Sequence, residues 1–339
     1  MNDIPPTASE ATPLVSQNIV VPGNNGVTLG ATLETQKTPE GPAPAVPAML
    51  LVQGSGPVDR DGNVPGTMET DLQKQIAEAL AEIGVVSLRY DKRGEYANKA
   101  ELPEDKDKIA EFLAWDNLVG DAVAAWRFLC DQPGVDRDRV GFFGHSEGGI
   151  VALAAAQELA DAGETPAALI LAATPGRPMG DVIHEQIERA MERKGVKPQN
   201  AERLLDAVDN IQEEIAETGE VPDAVPQPLK PLYRPELAPY WHSLLNLDPA
   251  DLAKLFPGPV LIIEGTADKQ VSARDDALNL DAALSDRKED DHDLLIVPRV
   301  THELQQVNDP AHPSNDGPIK PSIIKDISSW VSEKLIAPH

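Results

Sequence analysis

The hexapeptide GHSEGG at residues 144–149 sets a serine among glycines, with an apolar run, VGFF, before it and an alanine-rich run, IVALAAAQELA, after it. A serine hydroxyl is a weak nucleophile until a base takes its proton and donors stabilise the oxyanion that its attack creates. A G-x-S-x-G stretch on a strand-to-helix turn meets the geometric half of that need. The sharp turn lifts Ser146 clear of the strand end, and Gly144 and Gly148 let strand and helix approach closely. The same turn aims the Glu147 backbone N–H and the helix N-terminus at a reacting carbonyl. The bland alternative, a chance serine in a glycine loop, does not require a strand before it and a helix after it.

If Ser146 attacks, an acid and a histidine are expected to follow in that order, each just beyond a later strand. VLIIEGTAD places Asp268 after one strand pattern, and LLIVPRVTHEL places His302 after the last. Glu264 competes for the acid role but sits at the strand's own end, which points to a structural part. His292 precedes the last strand, and His312 lies well past it in a proline-rich loop. His145, beside the serine, reads as a packing or hydrogen-bonding residue, and His184, His242 and His339 as insertion or tail residues. A second oxyanion donor is expected from the loop LLVQGSGPVDRDG: the Ser55 N–H first, with Gly54 or Gly56 as alternatives.

The elements that must hold these residues are legible as patterns. SQNIVVPGNNGVTLGATLET alternates around a Gly/Asn turn and predicts a β-hairpin, after a Pro/Ser/Thr-rich start of 16 residues expected to be loose. From residue 48, short apolar runs alternate with amphipathic ones: AMLLV, DLQKQIAEALAEI, VVSLRY, WDNLVGDAVAAWRFL, VGFF, the helix after Gly144, and ALILAA. Near-continuous apolar strands separated by such helices predict a mainly parallel sheet covered on both faces. After Pro175 the alternation stops. Residues 181–218 carry helical stripes, Ile183, Ile187, Ala190 and Met191 on one and Leu204, Val208, Ile211 and Ile215 on the next, read as packing surfaces. The strand pattern returns with VLII and LLIV, and IIKDISSWVSEKL closes the chain as a helix. The expected division is a core of residues 1–175 and 249–339 with an inserted helical cap of 176–248.

At 339 residues and 41% hydrophobic content the chain can bury a full core. Its formal charge, 29 − 56 = −27, repels nucleic-acid phosphates and anionic lipid, so neither nucleic acid nor membrane is an expected partner. No apolar run reaches the roughly 18 residues of a membrane span. The start, MNDIPPTASEATP, has no signal-peptide pattern. A soluble, cytoplasmic protein is expected, or a secreted or periplasmic one if a signal peptide has been removed. Cys130 is the only cysteine, which rules out an intrachain disulfide and predicts a buried, inert thiol. The sequence sets no oligomeric state.

Together QGSGPVDRDG, YDKRG, GHSEGG, PVLIIEGTADKQV and THEL, spread over residues 47–304, make the chain resemble an α/β-hydrolase serine carboxylesterase. It is similar to bacterial esterases grouped with dienelactone-hydrolase-like and prolyl-oligopeptidase-like enzymes. The resemblance implies the α/β-hydrolase fold, no cofactor, a small soluble ester as substrate, and bracing roles for Asp91 and Arg93. Gln53 stands where the family more often has histidine, a departure that bears on loop packing, since the oxyanion donors are backbone groups.

No metal is expected. DRDGN resembles the start of a calcium loop, but Val64 holds the position that needs glycine and Thr70 the one that needs glutamate. KEDDHD, residues 288–293, reads as a solvated turn. The leading function is hydrolysis of short-chain acyl esters through Ser146, His302 and Asp268 and an acyl-enzyme. The alternatives are a serine peptidase or amidase of the oligopeptidase-like type, and a non-catalytic hydrolase-fold binding protein, whose usual mark is a missing triad member.

Overall fold

A computed structural model describes residues 12–37, 44–288, 291–307 and 317–337. His312, His339, residues 1–11 of the leading segment, 38–43 of the proline-rich link and two residues of KEDDHD lie outside the described residues. The main sheet has eight strands: β1 Leu14–Pro22, β2 Thr28–Gln36, β3 Val46–Val52, β6 Val86–Tyr90, β7 Val135–His145, β8 Leu169–Ala172, β9 Val260–Gly265 and β10 His292–Val297. Their spatial order is β1-β2-β6-β3-β7-β8-β9-β10. The hairpin β1–β2 is antiparallel and joins β6 antiparallel, and every pairing from β6 to β10 is parallel. The expected mainly parallel sheet with an N-terminal hairpin is therefore the architecture found. The hairpin starts at Leu14, inside the start that composition marks as loose, because Leu14–Ser16 pair with Glu34–Gln36.

Alternation along the strands divides the core. Leu50 and Val52 of β3 face a cluster that holds helices α3 (Trp115–Cys130) and α4 (Glu147–Asp161), whereas Met49 and Leu51 face one that holds α1 (Leu72–Glu82) and α10 (Pro321–Val331). Both faces are thus sealed by amphipathic helices, which the continuous apolar strands require. Cys130 is buried in the first cluster, and burial pushes its thiol up to about 12, so it is inert at neutral pH.

Between β8 and β9 stand α5 (Met179–Arg193), α6 (Pro198–Thr218), α7 (Ala238–Leu245) and α8 (Pro249–Leu255). Their apolar stripes, including Ile183, Val208, Ile211 and Ile215, join the same cluster as α3 and α4. The insertion is built onto one face of the sheet with no separate core of its own. Four features escape the sequence patterns: a short two-stranded β4 (Asn63–Val64) and β5 (Met68–Glu69), a 3-10 turn at Tyr96–Glu101, α2 (Lys106–Phe112) and α9 (Leu278–Ser285). Among the described residues no helix is long and apolar enough to cross a membrane.

Candidate active site

The turn from β7 into α4 places Ser146 at φ 56°, ψ −126°, a sparsely populated conformation for a residue with a side chain. It is held there by its own N–H, which donates to the Ala172 carbonyl of β8 at 2.9 Å. Close approach explains the glycine that follows: a Cβ on Gly148 would stand 2.2 Å from the Val52 carbonyl oxygen, so any side chain would drive α4 off β3. Among the described residues neither the Glu147 N–H, first in α4, nor the Ser55 N–H, in the loop after β3, has a hydrogen-bond acceptor.

Asp268 follows β9 and His302 follows β10, and the two loops are stitched together where Ala267 N–H donates to the Val300 carbonyl at 2.9 Å. Gly265 permits that approach, since a Cβ there would lie 2.2 Å from the same oxygen. His302 Nδ1 and Asp268 Oδ2 are 2.7 Å apart, while Asp268 Oδ1 accepts from the Gln270 and Val271 N–H groups at 2.6 and 3.0 Å. Burial alone would raise the Asp268 carboxyl, but His302 and these two donors overcome it and hold it below the usual carboxylate range. Burial alone would also favour the neutral His302 ring, yet the Asp268 charge and hydrogen bond outweigh it, so the ring keeps its proton to higher pH than free histidine. Ser146 and His302 line one cavity, with no hydrogen bond joining them. Proton transfer needs them within about 2.6–3.2 Å in the substrate complex.

The other acids and histidines fall elsewhere. Glu264 is buried at the end of β9 and accepts from the Gly265 N–H at 2.8 Å, and burial and the neighbouring Asp268 push its carboxyl well above the usual carboxylate range. His145 lies against the His302 ring, centroids 4.9 Å apart, with its Nε2 2.9 Å from the His302 carbonyl oxygen. Burial lowers its pKa, so it is neutral and donates to that carbonyl, fixing the His302 loop. His292 pairs with Asp281 at the start of β10, His184 with Asp209 on the insertion, and His242 with the Ile215 carbonyl.

Several contributors had no sequence signal. The Tyr240 hydroxyl on α7 donates to Glu147 Oε2, and Lys92 Nζ stands 3.5 Å from Glu147 Oε1 while donating to the Gly54 carbonyl at 2.5 Å and the Gly56 carbonyl at 3.2 Å. One network thus ties the insertion, the residue after Ser146 and both neighbours of Ser55. Only the glycine-flanked serine and YDKRG hinted at it; the Tyr240 contact spans 93 positions. Gln53 donates through its amide to the Tyr90 carbonyl at 2.8 Å, which closes the loop where the family more often has histidine. Asp91 is bonded to Arg60, and Arg93 forms a two-pronged pair with the buried Asp121 at 2.7 and 2.6 Å. Removing either partner of such a pair would strand a buried charge at a cost of about 3–5 kcal/mol.

Among the described residues one group has the type and closeness of metal ligands, His145, His302 and Glu303, with donor atoms within 4.8 Å of one another. His302 Nδ1 is taken by Asp268 and His145 Nε2 by a carbonyl, so a metal would have to use the other ring nitrogens, His302 Nε2 among them. In DRDGN, Asp59 Oδ1 accepts from the Asp61 and Asn63 N–H groups and Asp61 Oδ1 accepts from Arg89, so these oxygens brace the turn itself.

A cavity of about 570 Å³ opens between Ser146 and the insertion, walled by Met179, Ile183, Leu232 and Tyr240. A strained serine on a strand-to-helix turn, a parallel sheet and an Asp–His pair from the last two strands define the α/β-hydrolase class. The family model described as serine aminopeptidase, S33, matches residues 66–310, and the chain belongs to that family. It is 26% identical over 298 residues to esterase EstD of Thermotoga maritima, covering 86% of this chain. The chain spans 63% of that relative's length. Among solved structures it is similar to Est1E of Butyrivibrio proteoclasticus with ferulic acid bound (17% identity, TM-score 0.55, covering 94% of this chain and 100% of that one). It is also similar to a puromycin-hydrolysing peptidase of Mycobacterium tuberculosis (16% identity, TM-score 0.59, covering 97% of this chain and 40% of that one). The two structural likenesses show the shared fold.

Proposed function

We propose that this hydrolase-family chain is a carboxylic ester hydrolase. The observation that carries the reading is the His302–Asp268 pair set beside a serine at φ 56°, with two unbonded backbone N–H groups nearby. Ser146 Oγ attacks the acyl carbonyl carbon as His302 Nε2 takes its proton, and the Asp268 carboxylate stabilises the imidazolium. The carbonyl oxygen, now an alkoxide, accepts from the Glu147 and Ser55 N–H groups. The C–O bond to the alcohol then breaks as His302 returns the proton to the departing oxygen. Water repeats the sequence on the acyl-enzyme and regenerates Ser146.

The acyl group is short in this reading, and residues 176–248 act as a cap. Support comes from α5 and α7, which wall the cavity, and from its volume within the range of small-molecule sites. Within 176–248 the only exposed large apolar side chain among the described residues is Val196, so the insertion offers no surface for adsorption to lipid. Across p-nitrophenyl esters from acetate to palmitate, kcat/KM is expected to peak at or below the octanoate. A peak at palmitate with activation above its micellar concentration would reject the short-acyl reading.

The EstD resemblance favours esters, while the family description and the puromycin-hydrolysing neighbour favour an amide bond as the second reading. Aminoacyl p-nitroanilides in the same assay decide between them: faster turnover of the anilides makes the chain a peptidase.

The pH dependence follows from the pair. Only neutral His302 can accept the serine proton, so kcat/KM rises with pH through the His302 ionisation. Because Asp268 raises that pKa, the midpoint is expected above the ordinary 6.5 of histidine. A midpoint below 6.5, or a flat profile, would contradict the role of His302.

A further inference from the structure

Two cavities meet at Ser146, sharing Ser55, Ser146 and Gln270. The larger is lined by Glu147 and the insertion and does not include His302. The smaller, about 200 Å³, lies on the other side and is lined by Gln73, His145, His302 and Glu303, with Val64 and Met68 of the β4–β5 hairpin. Resting on the ester-hydrolase reading above, we infer that the smaller cavity is the leaving-group site, and that Gln73 selects esters whose alcohol part carries a neutral hydrogen-bonding group, a hydroxyl or an amide, close to the ester oxygen.

The side is fixed by the proton. When the C–O bond breaks, the departing oxygen must take its proton from His302, so the alcohol lies in the cavity that His302 lines. The acyl carbon stays on Ser146 with its oxygen toward the Glu147 N–H, which directs the acyl chain into the larger cavity. By the reverse of the same step, deacylating water enters from the smaller, polar side.

The chemistry of the ligand is set by Gln73. Its side chain comes from the first turn of α1 and is 1% exposed, yet neither Nε2 nor Oε1 has a hydrogen-bond partner. Buried amides are normally paired, so one that lines a cavity with both a donor and an acceptor unspent is suited to a ligand offering the same. Room for it exists because residue 62 is glycine: a Cβ there would lie 2.4 Å from Gln73 Oε1. Charge narrows the class. Glu303 lines the cavity and Asp268 stands behind His302, so an anionic alcohol is disfavoured. The volume corresponds to roughly six or seven waters at about 30 Å³ each, enough for a short polyol and too little for a long alkyl alcohol.

The test compares 2-hydroxyethyl butyrate with propyl butyrate, which match in length and differ in the terminal hydroxyl. The wild-type protein is expected to favour the hydroxyethyl ester by about tenfold or more in kcat/KM, since a site built to pair a hydroxyl rejects the analogue lacking it. In Gln73→Leu the ratio should fall to near one. A second measurement needs no variant: lengthening the alcohol from methyl to octyl at fixed butyrate should cost more than lengthening the acyl chain of methyl esters over the same range. Equal wild-type rates on the two butyrates, an unchanged ratio in Gln73→Leu, or equal tolerance on both sides would overturn the inference while leaving the esterase reading intact. If the wild type cleaves neither ester, both fall together.

Discussion

Ser146→Ala is expected to lower kcat/KM on p-nitrophenyl butyrate on the order of a million-fold, the loss that accompanies removal of the nucleophile where a serine triad acts as a unit. The substitution deletes one oxygen atom that has no hydrogen-bond partner among the described residues, so it strands no buried group. The backbone hold on the turn, Ser146 N–H to the Ala172 carbonyl, does not involve the side chain. Thermal stability should therefore stay within about 0.5 kcal/mol of the parent, the usual range for substitutions that disturb no packing or pairing. Loss of activity with the fold retained separates a lost nucleophile from a damaged protein. A variant keeping a tenth of the parent activity would remove Ser146 from the reaction as its nucleophile.

Asp268→Asn is the second large effect, with an expected drop on the order of 10⁴ in kcat. Asp268 Oδ1 accepts two backbone N–H groups, from Gln270 and Val271, and Oδ2 faces His302 Nδ1. Asparagine has one acceptor oxygen, and the two N–H groups claim it. Its NH2 then points at Nδ1, which must become the acceptor, so the ring proton moves to Nε2 and the ring can no longer take the serine proton. Removing the Asp268 charge also removes the main cause that holds His302 above its ordinary pKa, so the residual activity should show its pH midpoint shifted downward. Glu264→Gln is the comparison, because Glu264 neighbours Asp268 and accepts from the Gly265 N–H but makes no contact with the His302 ring among the described residues. An equal loss from Glu264→Gln would exchange the roles of the two acids.

What the sequence made legible has a physical boundary. Strands such as AMLLV and VLII stand out because they are buried on both faces, and α1 and α3 because their stripes are continuous. The candidates Ser146, Asp268 and His302 could be picked out because each follows a strand, and that order sets all three at the same end of the parallel sheet. The β4–β5 hairpin is too short for periodicity, and the Tyr96–Glu101 turn and α9 carry no stripe that distinguishes them from loop. Gln73 looks like an ordinary polar residue of an amphipathic helix; its burial comes from tertiary packing, with Gly62 set against its side chain. The Lys92–Glu147–Tyr240 network joins three distant segments, and pairings of that range leave no local pattern. The departure at Gln53 is the instructive case. The sequence marked the loop as altered, and a single amide-to-carbonyl hydrogen bond shows how the loop is nevertheless closed.

The central claim is that Ser146 is the nucleophile, and covalent capture tests it most directly. A fluorophosphonate presents a phosphorus centre that an activated serine attacks with loss of fluoride, leaving a stable adduct. Intact-mass and peptide mass spectrometry after treatment should find one adduct per chain, on the peptide containing GHSEGG, with ester hydrolysis falling in proportion to its formation. An adduct on any other residue, or full hydrolytic activity in a protein left unlabelled, would contradict the account.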